Sequence, residues 1–121
     1  MAEISFTVPL VPPSVNHYKK PRGRGKWYVT GEAQAFKDAV ALFARGKRVV
    51  AKTYAVDILI YLGANAKGDI DNYAKVVLDG LKDAGVIHSD AAVTVLHMRK
   101  ARCGPSAADR PRTEIYVWEP V

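Results

Sequence analysis

One cysteine, Cys103, is the entire thiol content of these 121 residues. No disulfide can form within the chain, and no Cys/His cluster carries zinc spacing. His17, His88 and His97 are scattered and lack ligand spacing as well. Long apolar runs are also missing: nothing approaches the ~20 residues that a membrane span requires. The start, Met1-Ala2-Glu3-Ile4, carries an acid and no apolar stretch, which excludes a typical signal peptide. These absences predict a soluble, cytoplasmic chain with no membrane partner and no small-molecule cofactor. Acids are scarce too. Twelve Asp and Glu stand against eighteen Lys and Arg, a net charge of +6. That balance favours a polyanionic partner, nucleic acid first, although charge alone does not decide it.

Apolar residues make up 49% of the chain. That is enough for one domain, residues 1–121, with its own core. Helix-like and strand-like stretches alternate, so the expected class is α/β or α+β: a small mixed sheet of about four to five strands packed with two main helices. Ile4, Phe6, Val8 and Leu10 alternate with polar residues and Pro9, which predicts a half-buried first strand ending near that proline or lying at an edge. Thr30 as N-cap, Glu32 in the first turn and an apolar face of Ala33, Phe36, Val40 and Phe43 predict a helix to about Arg45, stopped by Gly46. Tyr54 to Leu62 is apolar on both faces and reads as a central strand. A second helix is expected from about Ile70 to Ala84, with Gly85 as its C′ residue and Ile70, Ala74, Val77, Leu78 and Leu81 as its buried stripe. Strands at about Val93–Arg102 and Thr113–Trp118 close the chain.

Two stretches carry chemistry. Lys19, Lys20, Arg22, Arg24 and Lys26 put five basic residues into eight, beside Tyr18, Trp27 and Tyr28. Proline and glycine there predict a mobile loop, and cations without local counter-ions predict contact with DNA phosphates. The aromatics would suit unstacked bases, but the favoured reading tucks them into the core.

The other stretch reverses the sign. From Asp69 to Asp90 there are five acids and two lysines, a local charge of −3; the remainder has 16 basic and 7 acidic residues, or +9. Acids gathered inside a polyanion-binding surface call for a divalent cation, which neutralises them and serves phosphodiester chemistry. Residues two apart in a helix do not share a face. Asp69 and Asp71 can therefore converge only if Asp69 sits before the first turn, as an N-cap after Gly68. Lys75 then lies one turn above Asp71. Asp90 must come back along much of a helix about 22 Å long. A plainer reading keeps Asp69 as a cap and Asp71, Asp79 and Asp83 as solvent-face charges.

Gly68-Asp69-Ile70-Asp71-Asn72-Tyr73-Ala74-Lys75-Val76-Val77-Leu78-Asp79-Gly80-Leu81, followed by Ala84-Gly85-Val86-Ile87-His88-Ser89-Asp90, resembles the RusA family of Holliday-junction resolvases. The shared features are a D-x-D-N-x-x-K run, a helix ending near a glycine, and a further Asp after the next turn. The opening strand, Pro-Pro-Ser-Val-Asn and the basic loop resemble the family in the same order. Family members often have paired acids where this chain has Ser89-Asp90, so here Asp90 alone can serve. The resemblance implies a RusA-like α/β homodimer that cuts four-way DNA junctions with Mg²⁺ or Mn²⁺. It implies Asp69, Asp71 and Asp90 as metal ligands and Lys75 as the essential lysine. The expected reaction is metal-assisted phosphodiester hydrolysis, with paired symmetric nicks. The other readings are a metal-dependent nuclease of other branched DNA and a non-catalytic DNA-binding protein.

Overall fold

Nine consecutive residues, Tyr54–Leu62, carry Asp57 as their only charge, and they form the central strand of the protein. The structure is a computed structural model. It describes residues 3–13, 19–21, 27–63, 70–104 and 109–120, and of 19–21, 27–29, 71 and 72 only the backbone. The elements run β1 (Glu3–Val8), β2 (Lys19–Pro21), β3 (Trp27–Val29), α1 (Gly31–Ala44), β4 (Tyr54–Leu62), α2 (Ala74–Asp83), β5 (Val93–Arg102) and β6 (Arg112–Trp118). Short 3₁₀ turns at Ile70–Tyr73 and Asp90–Ala92 precede α2 and β5.

The main sheet has the order β1-β6-β4-β5. β4 runs parallel to β5 and antiparallel to β6, which in turn is antiparallel to β1. A parallel neighbour needs a long crossover, and α2 lies in it. The expected mixed sheet with two main helices is the observed α+β fold.

Alternation along the strands sorts the two faces. Val56, Ile58 and Ile60 of β4 and Ile115 and Val117 of β6 are fully buried, and they share one core with Phe36 and Val40 of α1 and Val77 and Leu81 of α2. Burying each such side chain stabilises by about 1.5–3 kcal/mol. Gly80 lets the helices close: a Cβ there would lie 3.3 Å from Val40 Cγ2. The opposite sheet face carries Asp57, Tyr61, Arg99, Arg112, Glu114 and Tyr116, all half-buried or exposed. Among the described residues, no helix is long and apolar enough to cross a membrane.

Several expectations change. The basic segment is not simply a loop: Lys19–Pro21 pairs antiparallel with Trp27–Val29 as a separate two-stranded sheet. Its flanking residues, Lys19 opposite Val29 and Lys20 opposite Tyr28, tolerate extended backbone despite the proline. The first strand stops at Val8, so Leu10 lies outside it and is exposed. The second helix starts as a 3₁₀ turn, and the tighter winding shifts its buried set. Tyr73, Val76, Val77 and Leu81 are buried, whereas Ile70, Ala74 and Leu78 are half-buried.

Candidate active site

Helix termini set the geometry of the acidic stretch. α2 ends in an αL glycine, Gly85, at φ +78°. Its N–H donates to Lys82 O at 3.0 Å, and the Val86 N–H donates to Leu81 O at 2.9 Å. This paired closure reverses the chain sharply after the helix. Val86 and Ile87 then plunge into the core. Val86 O accepts from Val49 N at 3.0 Å, and His88 N donates to the Tyr54 hydroxyl at 3.2 Å. The Ser89 hydroxyl accepts from Ala91 N at 3.1 Å and caps the short turn that holds Asp90. So the residue standing where the family often has a second acid works here as a cap.

That path delivers Asp90 to the side of α2. Lys75 Nζ lies 3.6 Å from Asp90 Oδ2 and 3.3 Å from Asp79 Oδ1. The 3₁₀ turn and α2 together run from Ile70 to Asp83, close to the expected span. The Lys75 ammonium, beside Asp79, meets Asp90 along the side of that helix. Lys75 is half exposed (51%), Asp90 a third exposed (34%) and Asp79 nearly buried (10%). The two carboxylates outnumber the one ammonium, so the described cluster keeps a formal charge of −1. An exposed ion pair at such distances contributes at most about 1 kcal/mol. The cluster is therefore a small term in holding the fold.

Of the four residues expected at the centre, the structure joins Lys75 and Asp90. The Asp71 backbone lies in the 3₁₀ turn leading into α2. The Asp71 side chain and the whole of Asp69, with its expected capping role, fall outside the described residues. Among the described residues no group of three or more His, Cys, Asp or Glu is placed to hold a metal ion. The basic residues expected on DNA divide likewise. Lys19 and Lys20 sit on β2 with only their backbone described, and Arg22, Arg24 and Lys26 lie outside the described residues.

Asp79 is the member that the sequence reading missed. It was weighed as a solvent-face charge and is instead buried against the site. The signal was present: Asp79 follows Lys75 by the same four residues by which Lys75 follows Asp71. Asp83 remains a surface charge, bridging to Lys37 of α1 at 2.6 Å. His88 is exposed, its ring tilted 60° against Tyr54 at 5.3 Å, and His97 is exposed on β5.

Comparison with known proteins gives the family of the chain. The family described as "Endodeoxyribonuclease RusA" matches residues 9–118. A protein of Escherichia coli (strain K12) named crossover junction endodeoxyribonuclease RusA is 32% identical over 96 residues, covering 77% of this chain and 78% of the relative. The protein of the same name from Enterobacteria phage 82 is 32% identical over 85 residues, 68% of this chain and 70% of the relative. That from Shigella sonnei (strain Ss046) is 30% identical over 96 residues, with 77% and 78% covered.

Proposed function

The chain belongs to the RusA family of endodeoxyribonucleases, and from that premise we infer that it cuts branched DNA and resolves Holliday junctions. The observation that carries the inference to particular residues is the 3.6 Å approach of Lys75 Nζ to Asp90 Oδ2. Two groups fifteen residues apart, one on a helix and one on a turn, meet in a half-exposed place with more negative than positive charge.

A junction-cutting family implies a divalent-metal requirement in general. Mg²⁺ is the proposed ion, with Mn²⁺ as a substitute, and Asp69, Asp71 and Asp90 the residues that would hold it. Carboxylate oxygens suit such hard cations, and Asp90 presents one at the surface of the cluster. The ion supplies Lewis-acid activation of water and of the scissile phosphate. The chain's own groups supply the rest. The Lys75 ammonium donates hydrogen bonds to a phosphate oxygen and offsets the negative charge that grows there as the P–O bond breaks. Asp71, whose backbone lies in the turn before α2, and Asp90, on the turn before β5, would bring carboxylates to the ion from two segments. Lys19, Lys20, Arg22, Arg24 and Lys26, in and between the strands of the small hairpin, neutralise phosphates along the arms.

The 121 residues act as a single endonuclease domain in this reading, in the cytoplasm where the DNA is. A four-way junction offers two strands related by near-twofold symmetry, and a twofold homodimer presents two matching sites to them. The deciding experiment compares wild type with Asp90→Asn on a synthetic mobile four-way junction, a flap and a plain duplex, in Mg²⁺ and in chelator. The expected outcome is paired nicks in the junction by wild type and a loss of at least about 10²-fold in the variant, with junction binding kept. Equal cutting by both proteins would remove Asp90 from the site. Preference for the flap would replace the junction by other branched DNA, and binding without any nick would leave a non-catalytic DNA-binding protein.

A further inference from the structure

The Lys75 ammonium has two carboxylate neighbours of different character. Asp90 is on a three-residue turn and a third exposed; Asp79 is on the same helix, one turn away, and nearly buried. Asp90, the more exposed of the two, is the one that would hold a divalent ion in the reading above, and it would then be lost as a partner of Lys75. We propose that Asp79 is a positioning residue that retains the Lys75 ammonium at the reaction centre once a divalent ion has engaged Asp90. The proposal rests on the nuclease reading above and names a residue that this reading does not use.

The pair with Lys75 adds little to stability. Lysine N-terminal to aspartate at i,i+4 is the weaker order for a helix pair, and even the better order contributes only about 0.2–0.5 kcal/mol. Removing a carboxylate from water costs several kcal/mol before any pairing. The flanking positions are apolar or close-packed: Leu78, Gly80 with its approach to Val40, and buried Leu81. An apolar residue would suit that wall better. What Asp79 adds is a fixed anion 3.3 Å from Lys75 Nζ. A lysine stem is flexible along four carbons. Without that anion the ammonium either swings into solvent or settles on Asp90 and competes with the ion for it.

The test reads both consequences. Asp79→Asn keeps the shape and removes the charge. Its expected effects are a fall in kcat of about 10- to 10²-fold at saturating metal, the scale of a misplaced group, with KM for the junction unchanged. Calorimetric titration with Mn²⁺ supplies a readout apart from cleavage. Asp79→Asn should bind Mn²⁺ several-fold more weakly, because Lys75 then leans on Asp90. Lys75→Met should bind it more tightly. The double variant should match Lys75→Met in both Mn²⁺ affinity and rate, since the proposed effect of Asp79 on the ion and on the reaction is exerted through Lys75. Wild-type Mn²⁺ affinity in Asp79→Asn, or losses that add in the double variant, would overturn the proposal. So would an Asp79→Asn protein that fails to fold, which would assign the residue to helix packing. A wild type that binds Mn²⁺ with this pattern yet cuts no junction would overturn the nuclease reading and leave the exchange among Lys75, Asp79 and Asp90 standing.

Discussion

Two places in the molecule set one cation between two carboxylates. At the side of α2, Lys75 stands between Asp79 and Asp90 at 3.3 and 3.6 Å. Where β6 begins, Arg112 stands between Asp109 and Glu114 at 2.8 and 3.5 Å. The second set is tied down on every side. The Arg112 guanidinium also lies 3.7 Å from the centre of the Tyr61 ring and donates to Arg110 O at 3.2 Å. Asp109 accepts from the Gly104 N–H as well. That hydrogen bond, followed by the Arg112 bond, holds the Asp109 carboxyl below the usual carboxylate range. A planar fork stacked on a ring has one good arrangement, whereas an ammonium on a flexible stem can change partners. The same charge count thus ties Asp109 to Gly104 and Arg112 in one case and, in the reading proposed above, lets Lys75 change partners in the other.

Exchanging the two cation types breaks the comparison most sharply. Lys75→Arg keeps the charge but brings a wide, flat group to a place suited to a point charge. Cleavage should fall by about 10²-fold, comparable to losing an electrostatic donor in a transition state, with an unchanged melting temperature. Junction cleavage under single-turnover conditions and a thermal melt check it together. A Lys75→Arg protein with wild-type rate would mean that Lys75 is a counter-ion and not a catalytic group.

Arg112→Lys should do the reverse. Lysine cannot reproduce both the forked contact and the stacking on Tyr61. The melting temperature should drop while the rate per folded molecule stays the same. Asp109→Asn adds a pH signature. A carboxyl whose folded pKa is depressed contributes stability at neutral pH, and that stability is lost as pH falls through the depressed value. The variant should therefore lose stability at pH 7 and converge on wild type in acid. Parallel melting curves across that range would deny the clamp.

The contrast also explains what the sequence could and could not reveal. Strand β4 was legible to the residue, because nine largely apolar residues with alternating burial leave no other period. So were Thr30 as a cap, which accepts from Ala33 N at 3.3 Å, and Gly85 as the αL closure. Both are local backbone chemistry. The hairpin of β2 and β3 was hidden, since three-residue strands joined by Arg22-Gly23-Arg24-Gly25-Lys26 carry no period long enough to read. Lys75 and Asp90 were found through the family motif, and their meeting was not derivable from spacing. It depends on Tyr54 and Val49 fixing the return path, contacts far apart in the sequence. Asp79 was lost for a related reason. Its neighbours in sequence suggest a solvent face, and its burial becomes visible only in the folded chain.

The smallest expected effect tests how closely the sheet's uncovered face is coupled. Tyr116 Oη donates to Glu114 Oε1 at 3.1 Å. That bond first, and then the charge of Glu114, pushes the phenol above its ordinary pKa. A raised folded pKa stabilises the protein below the ordinary tyrosine range, and the contribution disappears as pH rises through the folded value. Glu114→Gln retains an acceptor but removes the charge, so the phenol should titrate earlier. With six tyrosines in the chain, the Tyr116 contribution is isolated as the difference between ultraviolet titrations with and without Tyr116→Phe. A difference curve that Glu114→Gln leaves in place would mean that Glu114 is committed to Arg112 and that the phenol is set by burial. In that case the clamp at Arg112 would end at Glu114 instead of running along β6 toward Asp57 and Arg99, whose ion pair at 3.0 Å lies on the same face.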